Sequence, residues 1–96
     1  MAYEERKLSI DYVAPTAGFL IVRLTTKNTD PASRVVVAQC KVDGVVVASG
    51  SAADNFLHDV ISSPTQTFTV PIHGSSTYRV DRVGGNGDVE IRWVVI

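Results

Sequence analysis

Apolar and polar residues alternate along this chain in short runs with a period of two, and the runs predict strands. Leu8, Ile10 and Tyr12 alternate with Ser9 and Asp11, the pattern of a strand with one wet face. After a break marked by Pro15 and Gly18, "FLIVRLTT" places Phe19 and Ile21 on one face and Leu20, Val22 and Leu24 on the other. That strand is expected to be covered on both sides. "KNTDPAS" follows as a polar loop around Pro31.

The clearest local element is "RVVVAQCKVDGVVVASG", where β-branched runs flank Asp43-Gly44. This pair tolerates the positive φ angles of a tight type I′ turn, so a hairpin is predicted there. In "SAADNFLHDVISS", Asp54 can cap a short helix whose Phe56, Leu57, Val60 and Ile61 share a face; an irregular strand and loop is the competing reading. "TQTFTVPI" alternates again, with Phe68, Val70 and Ile72 opposite the threonines. Pro71 cannot donate to a ladder, which predicts a strand that lies at a sheet edge or stops there. "TYRVDRV" is another strand, and the glycine-rich "GGNGD" reads as a hairpin loop feeding "VEIRWVVI". With about seven or eight strands, at most one short helix and no βαβ rhythm, the chain is expected to be all-β. The expected architecture is an antiparallel, jelly-roll-like β-sandwich forming a single domain over residues 1–96.

Composition narrows the function. A chain of 96 residues buries only about 60 to 65% of its unfolded surface, so a partner chain has burial to add. The formal net charge is −1 and the charges are scattered, which argues against a nucleic-acid footprint. The Glu4-Glu5-Arg6-Lys7 cluster is mixed in sign and reads as a solvated lead-in. "MAYEERKLSI" lacks an apolar core after its charges, and no apolar run approaches the ~18 residues that span a bilayer. No signal peptide or membrane insertion is expected, and synthesis in a cytoplasm follows. Cys40 is the sole cysteine, so no internal disulfide can form, and its surroundings read as a strand core.

Candidate chemistry is sparse. Gly84-Gly85-Asn86-Gly87-Asp88 approximates the calcium-binding pattern GGxGxD, but the aspartate falls one position early and the unit is not repeated. His58-Asp59 and His73 near Ser75 and Ser76 are neighbours in sequence, whose side chains the backbone points apart. A metal site built on Asp54, His58 and His73 has no ligand spacing behind it. The expectation is a protein without catalysis, metal or cofactor. An enzyme would need a concave pocket joining His58, His73 or Cys40. Binding groups, if used, belong to the loops carrying Asn28, Asp30, Asp54, Asn55, His58 and His73, which offer hydrogen bonds to a sugar or protein.

Three segments carry a family resemblance. "DYVAPTAGFLIVRL", through Tyr12, Ala14, Pro15, Gly18 and Phe19, resembles the opening of small jelly-roll modules from bacteriophage tail fibres and related virion proteins. "KVDGVVVASG" resembles the short hairpin of that family. "FTVPIHGSSTYRV" resembles a further segment of it through Val70, Pro71, Gly74, Tyr78 and Val80. The chain departs from the pattern at His73, at Ser75 and Ser76, and at its apolar end "IRWVVI". The resemblance implies a trimeric β-sandwich head, active in virion attachment or assembly and without catalysis. Its implied partners are other virion proteins or a host surface glycan, and its implied place is the virion. A free-standing carbohydrate-binding module of lectin type shares the same all-β reading.

The apolar strand faces suggest how such a module associates. Trp93, Val94, Ile96 and Val36 sit in strands that carry apolar residues on both faces, and are the expected oligomer interface. Along the last strand, Glu90 and Arg92 share a face with Val94 and Ile96, so that face turns from wet to apolar toward the terminus.

Overall fold

A computed structural model describes residues 3–27, 34–53 and 65–96. Eight strands run in chain order: β1 (Tyr3–Arg6), β2 (Tyr12–Val13), β3 (Gly18–Thr25), β4 (Val35–Val42), β5 (Val45–Ala53), β6 (Thr65–Ile72), β7 (Thr77–Gly85) and β8 (Asp88–Val95). Two four-stranded sheets result, sheet A in the order β1-β8-β3-β6 and sheet B in the order β2-β7-β4-β5. Every pairing is antiparallel. First pairs with last and so on inward, β1 with β8, β2 with β7, β3 with β6 and β4 with β5. This is one long hairpin wrapped into two layers, the jelly-roll form of the sandwich.

The tip of that long hairpin is Asp43-Gly44, as the sequence predicts. Asp43 has φ 51° and Gly44 φ 83°, and Val42 pairs with Val45 across them. Asp43 also ties the tip to β7: its Oδ1 accepts from Thr77 N at 2.9 Å and its own N–H donates to Thr77 O at 2.8 Å. Pro71 likewise lies where its missing donor does least harm, on edge strand β6 and one residue from its end.

The glycine-rich "GGNGD" differs from expectation. It joins no hairpin, because β7 belongs to sheet B and β8 to sheet A. It is an arch that carries the chain from one layer to the other. Gly85 has φ +67°, and a side chain there would run into the Val35 carbonyl. At Gly87 a Cβ would lie 2.7 Å from Val36 Cβ. The glycines are there for the close crossing, which a period-two reading of the flanking strands cannot distinguish from a hairpin. The helix considered after Asp54 lies outside the described residues.

Between the sheets, side chains of unequal size interdigitate. Leu20, Val22, Leu24, Val70, Ile72, Ile91 and Trp93 face Val36, Ala38, Cys40, Ala52, Tyr78 and Val80. Such alternation fills an interior to the density of an organic crystal. At one end the core becomes an aromatic stack. Trp93 lies on Tyr78 at 5.2 Å between ring centroids, and Tyr78 on Tyr12 at 5.7 Å. The Arg6 guanidinium caps the stack, 4.9 Å above the Tyr12 ring, and its Nε donates to the Tyr78 hydroxyl at 3.0 Å. Gly18 makes room for this arrangement: a Cβ there would lie 2.7 Å from Trp93 Cζ2. Among the described residues nothing accepts from the buried Trp93 Nε1, and bulk and stacking hold the indole in place.

The prediction that β3 is covered on both faces needs correcting. Its burial alternates strictly, with Leu20, Val22 and Leu24 fully enclosed while Phe19 remains 39% exposed. Among the described residues only its inner face is sealed.

Candidate interaction surface

The outer face of sheet A is built by register. Directly opposite residues of antiparallel strands point to the same side, and the pairings place Tyr3, Val94, Phe19 and Pro71 in one row across all four strands. Each comes from a different strand, so the row is invisible to any local pattern. Tyr3, Phe19 and Pro71 are exposed, and Val94 is nearly covered between Tyr3 and Phe19. Val95, the last residue of β8, has the parity of Trp93, and Ile96 just beyond it extends the apolar end and is 76% exposed. Its amide is nonetheless fixed, donating to Ala17 O at 3.3 Å.

Moving one row along the strands, the chemistry changes to Glu5, Arg92, Ile21 and Thr69, and then to Glu90, Arg23 and Thr67. The Arg92 guanidinium sits 4.6 Å above the Tyr3 ring and lies 3.8 Å from Glu90. An open depression of about 340 Å³ is bounded by Ile21, Arg23, Thr65, Thr67, Glu90 and Arg92. The face therefore passes from charged to apolar toward the chain terminus, as the alternation in "VEIRWVVI" predicts.

Two of the expected interface residues do not belong here. Trp93 and Val36 point inward and are 1% and 0% exposed in the single chain, so they are core. An apolar run on both faces of a strand does not say which member faces which layer, and the sandwich interior claims these two. Val94 and Ile96 lie on the outer face or its continuation. The sequence pattern missed Tyr3, Phe19 and Pro71, which join Val94 only through pairing across β1, β3 and β6.

The loop candidates are dispersed. Asn28, Asp30, Asp54, Asn55 and His58 lie outside the described residues. His73 is exposed in the β6–β7 turn, where its carbonyl accepts from Ser76 N at 3.3 Å. That turn is tied to the β2–β3 connection by Ser75 N donating to Ala14 O at 2.7 Å and Ala14 N to Ser76 O at 2.9 Å. Cys40 faces the core, and burial pushes its thiol up to about 11, far from a reactive thiolate. Among the described residues no cluster of three histidine, cysteine, aspartate or glutamate side chains is placed to hold a metal ion. Among the described residues no helix is long and apolar enough to cross a membrane.

The outer face of sheet B is mixed, with Val35, Val46 and Val83 exposed beside a polar cluster. Arg79 Nε donates to Asp81 Oδ1 at 2.9 Å, Ser9 Oγ donates to the same oxygen at 2.9 Å, and Asp11 lies 3.8 Å from Arg79. The hydrogen bond from Arg79 holds the Asp81 carboxyl below its usual range. No known family model and no curated protein matches the chain.

Proposed function

We propose that this chain is a non-enzymatic structural module of a phage or prophage virion, associating with copies of itself as a trimer through the apolar end of sheet A. The observation that carries the reading is the row Tyr3, Val94, Phe19 and Pro71, continued by Ile96. A contiguous apolar patch at one end of an otherwise charged face is the mark of a contact surface. Burying a side chain such as Phe19 or Ile96 contributes about 1.5 to 3 kcal/mol before the entropy of association is subtracted. The virion setting comes from the resemblance of three segments to tail-fibre modules, whose implied sandwich matches the fold; the fold by itself serves many roles. Further partners in this reading are other virion proteins or a host surface glycan.

The test is sedimentation velocity on the chain and on the variant F19D/I96D, which places charge on the patch without touching the core. The parent is expected to show trimers that the variant lacks, with unchanged far-ultraviolet circular dichroism. A parent that stays monomeric at high concentration overturns the reading. A second reading, a small carbohydrate-binding module, draws on the depression beside Arg23, Glu90 and Arg92, whose polar rim suits sugar hydroxyls. A glycan array would separate the two, since only this second reading requires saccharide capture by the monomer.

A further inference from the structure

The sandwich has four edge strands, and they are unequal. β1 is short and three of its four residues are charged. β2 has two residues, and β6 carries Pro71. These are the usual devices by which a sheet edge avoids pairing with another chain. β5 has none of them in its sequence. Its nine residues, VVVASGSAA, include no charge and no proline. Among the described residues, no strand pairs with its outer edge. Val45, Val46 and Val47 are 62%, 47% and 51% exposed.

One irregularity limits where a new strand could join. Cys40 pairs with Ala48 and Lys41 with Val46, so Val47 is an extra residue that bends the strand. From Ala48 to Ala53 the ladder with β4 is unbroken, and that segment is a regular template.

We propose that the outer edge of β5 is a strand-addition site for β5 of a second copy of this chain, joining two B sheets antiparallel about a two-fold axis. Three observations favour this occupant. An uncharged strand can lie against itself with no like charges opposed, whereas a charged peptide would find no complement along it. Lys41 stands one strand inward, on β4, so two copies of it would be separated by three strand spacings of about 4.8 Å, beyond the Debye length of about 8 Å in physiological salt. Phe68, packed against Gly50 and only half-buried where β5 meets β6, leaves core surface at the seam for a second copy to cover. This contact is separate from the apolar row of sheet A, and the two together would let the chain build an extended assembly rather than a closed ring.

The test uses the native chain and two variants. Hydrogen exchange is measured at low and high protein concentration. The edge amides of Ala48 to Ala53 are expected to gain protection as concentration rises. In S49K/S51K, which puts lysines on exposed positions of the edge, protection should vanish and the dissociation constant should rise about tenfold or more; S49T/S51T should behave as the parent. Exchange independent of concentration in the native chain overturns the proposal, and needs no variant to fold. Protection that appears only when another virion protein is added also overturns it, in favour of a foreign strand. If F19D/I96D abolishes association while S49K/S51K leaves it intact, the row of sheet A stands and the β5 contact fails.

Discussion

Two neighbouring residues of β8, Trp93 and Val94, point to opposite sides of sheet A and do different work. Trp93 enters a stack with Tyr78 and Tyr12 that is sealed by Arg6. Val94 joins a row with Tyr3, Phe19 and Pro71 that the described residues leave partly open. The inner group is completed by intrachain packing, and its energy belongs to folding. The outer group keeps much of its apolar area in water, and in the proposed reading its energy belongs to association. The difference teaches that hydrophobicity in a terminal strand is not one signal. Its odd and even positions answer to different partners.

The strongest way to break the comparison is to empty the inner side. Trp93→Ala should cost about 3 to 5 kcal/mol, the usual range for deleting a buried aromatic, and a large fraction of a small domain's stability. Thermal unfolding followed by circular dichroism measures it, and a melting temperature close to that of the parent would show that the stack is not a folding element. Overfilling the same site is the milder form. In Gly18→Ala, the new methyl would meet Trp93 and the Val94 carbonyl, so a loss of about 1 to 3 kcal/mol is expected. F19D/I96D, by contrast, should leave unfolding of the monomer nearly unchanged; a loss as large as that of Trp93→Ala would collapse the distinction between the two sides.

The legibility of the fold follows from what is local. Asp43-Gly44 announces its turn because two adjacent φ angles decide it, and Pro71 announces an edge because one missing donor decides that. The arch at Gly85 to Gly87 was not legible. Its glycines answer to Val35, Val36 and the Thr25 carbonyl, residues brought there by the layer crossing. The candidate surface divides the same way. Val94 and Ile96 could be read from alternation within β8, whereas Tyr3, Phe19 and Pro71 join them only through register. Trp93 and Val36 were misplaced at an interface because period two separates two faces without saying which is inside.

Titration separates the two environments at smaller cost. On the inner side, burial pushes Cys40 up to about 11 from an ordinary 9.0. The folded chain then holds the thiol proton where the unfolded chain releases it, so this contribution is complete below about pH 9 and is lost as pH rises toward 11. Denaturant midpoints should fall over that window in the parent and less in Cys40→Ala, measured relative to each protein's own midpoint at pH 7. On the outer side of sheet B, Asp81 is held below its usual range by the hydrogen bond from Arg79, after which the Ser9 hydroxyl adds a second. Here the unfolded chain binds the proton first as pH falls. The contribution is present above the unfolded value of about 3.9 and is lost as pH drops through the lower, folded one. Asp81→Asn should therefore flatten the acid limb and leave the alkaline limb alone. At neutral pH its cost should not exceed about 1 kcal/mol, since a partly exposed pair is screened by solvent. An acid limb unchanged by this substitution would show that the Arg79–Asp81–Ser9 cluster is surface decoration, and that the energetics of pH reside wholly on the inner side.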